Sequence, residues 1–258
     1  MQDETPSEGY IVSVNGALIY YEVQGQGSPL VLLHGFGSSS LHWKPFIEDF
    51  SKQFQLIIPD LRGHGRSTNP TQQFTHRQSA LDIFVLLDQL KIDKFKAMGI
   101  STGGMTLIHM ATHQPARIEA MVLIGSTTHF PEQARVIMRQ STVESLTAED
   151  WKQLRQVHKR GDDQIRALRN QFYNFKDSYD DMNFTTPYLS QITAKTLIVH
   201  GDRDEFFPVS IPMEMYRSIP NSYLWIIPNG GHIPIIENAA SFAQTAQEFL
   251  QGKWEPTL

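Results

Sequence analysis

The chain has 258 residues, with 22 Lys and Arg against 27 Asp and Glu, giving a formal net charge of −5 at pH 7. Apolar residues at 40% supply a large core and exclude a disordered chain, and the acidic balance excludes a general phosphate-backbone binder. No apolar run exceeds five residues, far short of a membrane span, and the absence of cysteine removes disulfides, thiolate metal sites and cysteine nucleophiles.

The chain begins Met1-Gln2-Asp3-Glu4, acidic and without the apolar core of a signal peptide, so a cytoplasmic location is expected. Residues 10–14 and 18–23 are β-rich runs around Asn15-Gly16, the dipeptide of a type I′ hairpin. Gly25-Gln26-Gly27-Ser28-Pro29 then breaks the chain before Leu30-Val31-Leu32-Leu33, apolar on both faces as a buried parallel strand is. Runs of the same character recur at 56–58, 95–98, 121–124, 196–199 and 223–227. Helical patterns lie between several of them. Thr75-x-x-Gln78 has the form of a capping box, and Ala80, Ile83, Phe84, Leu87 and Leu90 follow at helical spacing. Ala239, Phe242, Ala243, Ala246, Phe249 and Leu250 repeat the pattern near the end. The expectation is an α/β chain: a mostly parallel central sheet with an N-terminal antiparallel hairpin and helices on both faces.

Residues 127–190 break the alternation, because no strand pattern occurs there and α/β connections usually need only ~2–6 residues besides the helix. Helical patterns cover 131–140, 148–160 and 162–175, with many aromatic residues among and after them. The expected division is a core of residues 1–126 and 191–258, with 127–190 inserted as a helical cap that does not fold alone.

Gly99-Ile100-Ser101-Thr102-Gly103 has the form G-x-S-x-G, with a β run before it and a helical run after it. A serine on a tight strand-to-helix turn needs neighbours without side chains, and the helix start aims free N–H groups at an oxyanion. Serine also needs a base, and the base a carboxylate. Downstream, the strand at 196–199 runs into His200-Gly201-Asp202-Arg203-Asp204-Glu205. Later still, Gly230-Gly231-His232 follows the last β run, and His34-Gly35-Phe36-Gly37 follows the first buried one.

With Asp60-Leu61-Arg62-Gly63-His64-Gly65-Arg66-Ser67, these motifs stand in an order that resembles the α/β-hydrolase fold family. Within it, the chain is similar to the small carboxylesterases, lactonases and cofactor-free perhydrolases that carry an inserted cap. The resemblance runs from about Gly9 to Leu250. It implies a catalytic triad of Ser101 as nucleophile, His232 as base and Asp204 as acid, with Asp202 the rival acid. It also implies an oxyanion hole from the backbone N–H groups of Phe36 and Thr102. Relatives often carry Met or Gln where Thr102 stands, a departure that bears on pocket shape more than on mechanism.

Asp60, Arg62 and His34 have a functional look, but loop scaffolding accounts for Asp60 and Arg62, and His34 reads as orienting the oxyanion loop. His109 and His113 have the i, i+4 spacing of a helical metal pair, yet Met110 stands where a zinc protease has Glu. No metal and no cofactor is expected, and no nucleotide-binding glycine motif occurs. Phe130, Met138, Trp151, Phe172 and Tyr188 are the candidates to line a substrate pocket.

The leading expectation is a serine esterase: hydrolysis of small to medium, largely apolar esters or lactones through an acyl-enzyme. The alternatives are a C–C bond hydrolase of vinylogous diketones with the same triad, and a ligand receptor on the same fold. The expected partner is a small-molecule ester or lactone, with no nucleic acid and no membrane span, the protein being a monomer or homodimer.

Overall fold

A computed structural model of the chain describes residues 9–254. The acidic Met1–Glu4 run lies outside the described residues. β1 (Gly9–Val14) and β2 (Ala17–Gln24) pair antiparallel. Asn15 and Gly16 between them have φ of 44° and 77°, the double positive φ of a type I′ turn. Then come β3 (Ser28–Leu33), a 3-10 turn at Ser40–Phe46, α1 (Ile47–Ser51), β4 (Phe54–Pro59) and α2 (His76–Gln89). β5 (Phe95–Ile100), α3 (Thr102–His113) and β6 (Ile118–Ile124) follow. The next elements are all helical: α4 (Glu132–Gln140), α5 (Ala148–Val157), α6 (Asp162–Asn174) and α7 (Thr186–Leu189). β7 (Lys195–Gly201), α8 (Ser210–Ser218), β8 (Ser222–Ile227) and α9 (Ala239–Leu250) complete the order.

The strands form one eight-stranded sheet in the order β1-β2-β4-β3-β5-β6-β7-β8, antiparallel through β1, β2 and β4 and parallel thereafter. β6 and β7 are parallel neighbours although residues 127–190 separate them, so that segment leaves at the C-terminal end of β6 and returns to the N-terminal end of β7. Its only β pairing among the described residues is an isolated bridge between His129 and Asn183.

Strand alternation divides the core between the two faces of the sheet. Val31 and Leu33 of β3, with Met121 and Leu123 of β6, join α2, α3 and the helical insert. Leu30 and Leu32, with Val122 and Ile124, face Trp43, Phe46 and α9. All four β3 leucine and valine side chains are fully buried, each worth about 1.5–3 kcal/mol relative to exposure. Leu32→Ala would therefore cost about 2–5 kcal/mol.

The Thr75 hydroxyl caps α2 by accepting from Gln78 N at 3.0 Å, but the Gln78 amide turns to Asp82 instead of closing the box. The reciprocal box forms at Thr147 and Asp150, at the start of α5. No helix among the described residues is long and apolar enough to cross a membrane.

Candidate active site

Ser101 sits between β5 and α3 with φ of 50° and ψ of −115°, a conformation that costs a non-glycine residue of order 1–3 kcal/mol. Two backbone bonds hold it there: its N–H donates to Ile124 O at 2.7 Å, and its carbonyl accepts from Met105 N at 2.9 Å. The surrounding glycines are required sterically. A Cβ on Gly99 would overlap the Gly103-Gly104 backbone, and one on Gly103 would overlap Leu33 O. The elbow is thus packed against β3 closely enough that only glycine fits.

His232 reaches the serine from the loop after β8. Its Nε2 lies 3.0 Å from Ser101 Oγ, and its Nδ1 lies 2.9 Å from Asp204 Oδ2. The Asp204 side chain is fully buried, and its other oxygen accepts from the N–H groups of Phe206 (2.8 Å) and Phe207 (3.1 Å). Asp202, the rival acid, does not reach His232; its nearest cation is Arg203 at 3.9 Å, and its Oδ1 is buried without a hydrogen bond.

The cavity above Ser101 has a volume of about 220 Å³. Phe36 and Thr102 border it, as do Phe130, Met138 and Phe172 of the candidate lining. Trp151 and Tyr188 are placed elsewhere, which corrects the sequence expectation. Trp151 lies on the outer helix α5, which buries no residue, and its ring packs under the guanidiniums of Arg155 and Arg166. Tyr188 is 55% exposed on α7 against Phe184. Phe206 and Phe207 do line the cavity, with ring centroids 4.7 and 5.3 Å from that of His232. Their position just past Gly201-Asp202-Arg203-Asp204-Glu205 was the available signal. His42 also borders the cavity, and burial, reinforced by the nearby His232, lowers its pKa to about 4. Nothing in its spacing announced it.

The flanking motif is scaffold. His34 Nε2 accepts from Leu61 N at 2.9 Å, and burial holds its pKa down near 3, so the ring is a neutral brace for the loop it begins. Asp60 accepts from Ser40 N at 2.7 Å and Arg66 N at 2.8 Å, tying two loops together. Arg62 forms a buried fork with Asp82, at 2.7 and 2.8 Å. His109 Nε2 donates to the Asp181 backbone carbonyl (2.7 Å), and the Asp181 carboxylate stands 3.6 Å away, a neighbour that sequence spacing could not show. That carboxylate is already engaged by His76, and His113 is exposed.

The family model for the alpha/beta hydrolase fold matches residues 28–160. The chain belongs to the α/β-hydrolase fold family. It is similar to the human protein "Serine hydrolase BPHL", 27% identical with 93% of this chain and 85% of that protein covered. A Legionella pneumophila pimeloyl-[acyl-carrier protein] methyl ester esterase is also 27% identical, covering 90% and 99%. A 2-hydroxy-6-oxo-6-(2'-aminophenyl)hexa-2,4-dienoic acid hydrolase of Metapseudomonas resinovorans is 22% identical, covering 95% and 92%.

Proposed function

We propose that this protein is a serine carboxylic ester hydrolase for small to medium, largely apolar esters or lactones. The observation that carries the reading is the hydrogen-bonded chain from Ser101 through His232 to Asp204 at the floor of an apolar cavity. Ser101 Oγ attacks the carbonyl carbon while His232 Nε2 takes its proton, and the same proton goes to the departing alkoxide. Asp204 holds the Nδ1–H and stabilises the imidazolium. The N–H groups of Phe36 and Thr102 receive the tetrahedral oxyanion; Thr102 opens α3, so its N–H has no partner within the helix. Water, deprotonated by His232, then cleaves the acyl-enzyme and releases the acid. Residues 127–190 serve as the cap that closes the cavity, supplying Phe130, Met138, Phe172 and Phe175.

The relative named for a dienoic acid acts on a compound that is an anion at neutral pH. No Lys or Arg is among the residues lining the Ser101 cavity, and burial, helped by His232, keeps His42 uncharged there. A neutral ester therefore suits this pocket better than a carboxylate-bearing diketone. The test is turnover of p-nitrophenyl butyrate beside a vinylogous diketone acid, each with Ser101→Ala as control. Ester turnover that Ser101→Ala removes supports the reading; turnover of the diketone alone assigns C–C hydrolysis, and tight binding without turnover of either assigns a receptor.

A further inference from the structure

His158 ends α5 at the edge of the helical insert, and its side chain is only 3% exposed. Its ring touches two separate loops of the sheet domain. Nδ1 accepts from Gly65 N at 3.0 Å, and Nε2 lies 3.1 Å from Gly37 O. A backbone N–H can only donate and a carbonyl can only accept, so the two bonds together fix a neutral ring with its hydrogen on Nε2. Burial lowers the pKa of His158, which favours the same form.

Gly37 is no ordinary contact point. Ser38 N donates to Gly35 O at 3.2 Å, which closes a turn over Gly35-Phe36-Gly37-Ser38. Gly37, third in that turn, has φ of 72°, where glycine is free of strain. The turn presents Phe36 to the Ser101 cavity. Three braces hold this loop: His34 through Leu61 N, Ser40 through Asp60, and Gly37 through His158. The first two come from the sheet domain. The third comes from the insert.

The segment after His158 grips the facing loop as well. Lys159 N donates to Gly65 O at 2.9 Å, Arg160 Nε to Arg66 O at 2.8 Å, and Gln164 Nε2 to Gly63 O at 2.8 Å. Removing the ring would therefore leave the insert attached while freeing the Gly37 turn. That separation makes the role of the ring testable.

The geometry points to His158 as a positioning residue: the insert completes the oxyanion hole by bracing the Gly37 turn through this imidazole. The inference rests on the proposed role of the Phe36 N–H. It couples cap docking to transition-state stabilisation, since the loop that bears the donor has its third brace only when the cap is seated.

Two substitutions separate the two bonds. His158→Asn leaves an amide oxygen near the Nδ1 position to accept from Gly65, and loses the donor to Gly37. His158→Gln leaves an amide N–H near the Nε2 position to donate to Gly37. Both are compared with wild type in p-nitrophenyl butyrate kinetics and in hydrogen exchange of the 34–40 segment. His158→Asn should lower kcat about 10- to 100-fold with KM changed less than about twofold, because the lost restraint matters only in the transition state. Its 34–40 amides should exchange at least about tenfold faster, as a loosened turn does, with exchange elsewhere in the sheet unchanged. His158→Gln should stay within about threefold of wild type in both readouts. Equal exchange in all three proteins, or a kcat loss as large in His158→Gln as in His158→Asn, would overturn the inference. If the wild type turns over no ester, the esterase reading fails, and the exchange comparison alone then decides for or against the brace.

Discussion

The Asp204 carboxylate gives one oxygen to His232 Nδ1 at 2.9 Å and keeps the other for the Phe206 and Phe207 N–H groups. The imidazole is thereby held by an acid that is itself fixed by backbone. Asp204→Asn can retain the backbone bonds through its amide oxygen but presents N–H to Nδ1, which forces the wrong tautomer on His232. It should lower kcat by at least about 10³-fold with little loss of stability. Asp202→Asn should change kcat less than about threefold, since Asp202 touches no member of the triad. Steady-state ester kinetics on the two variants would check both, and a larger loss at Asp202 would reassign the acid.

Acid should destabilise the protein well before its carboxylates titrate. Burial lowers the pKa of His34 to about 3 and of His42 and His109 to about 4, from 6.5. Between those values and 6.5 the unfolded chain binds protons that the folded chain refuses, so stability falls as pH falls through that window. Above 6.5 the groups contribute no pH dependence, and below their folded values the loss levels off. Each contributes a slope of up to about 1.4 kcal/mol per pH unit inside the window. Urea midpoints should drop markedly from pH 7 to pH 5; equal midpoints would contradict the buried, neutral assignment.

The Arg62–Asp82 fork is 3% and 2% exposed and lies away from the cavity lining. Arg62→Ala strands a buried carboxylate and should cost about 3–5 kcal/mol in chemical denaturation. Activity per folded molecule should stay near wild type. A variant that folds normally but loses turnover would show that this motif takes part in the chemistry.

An apolar cavity of about 220 Å³ favours short acyl groups. Rates with p-nitrophenyl esters should peak between about two and eight acyl carbons. Met138→Ala, at a buried lining position, should move the optimum to longer chains. An optimum that stays put would mean that the acyl chain lies elsewhere.

Much of this was legible in the chain because the signals are local. The β3 run Leu30–Leu33 is apolar on both faces, Asn15-Gly16 has the φ demands of its turn, and Gly99-x-Ser101-x-Gly103 has no room for larger neighbours. What stayed hidden depends on tertiary approach. His158 meets Gly65 and Gly37 across 93 and 121 residues of chain, a relation no spacing encodes. Trp151 and Tyr188 have the same aromatic character as Phe172, but aromatic character does not say which face of a helix meets the sheet. The N-cap at Thr147 was equally readable by its spacing to Asp150, yet it sits in a stretch where no strand gave a frame.

Everything proposed for this site requires Ser101 to be a nucleophile activated by His232. A p-nitrophenyl alkylphosphonate, which leaves a stable tetrahedral adduct on an active serine, tests it most directly by intact mass and peptide mapping. One adduct per chain is expected, mapped to Ser101, with complete loss of ester turnover and labelling at least about 10³-fold slower in His232→Ala. An adduct on another residue, or equal labelling rates with and without His232, would contradict it.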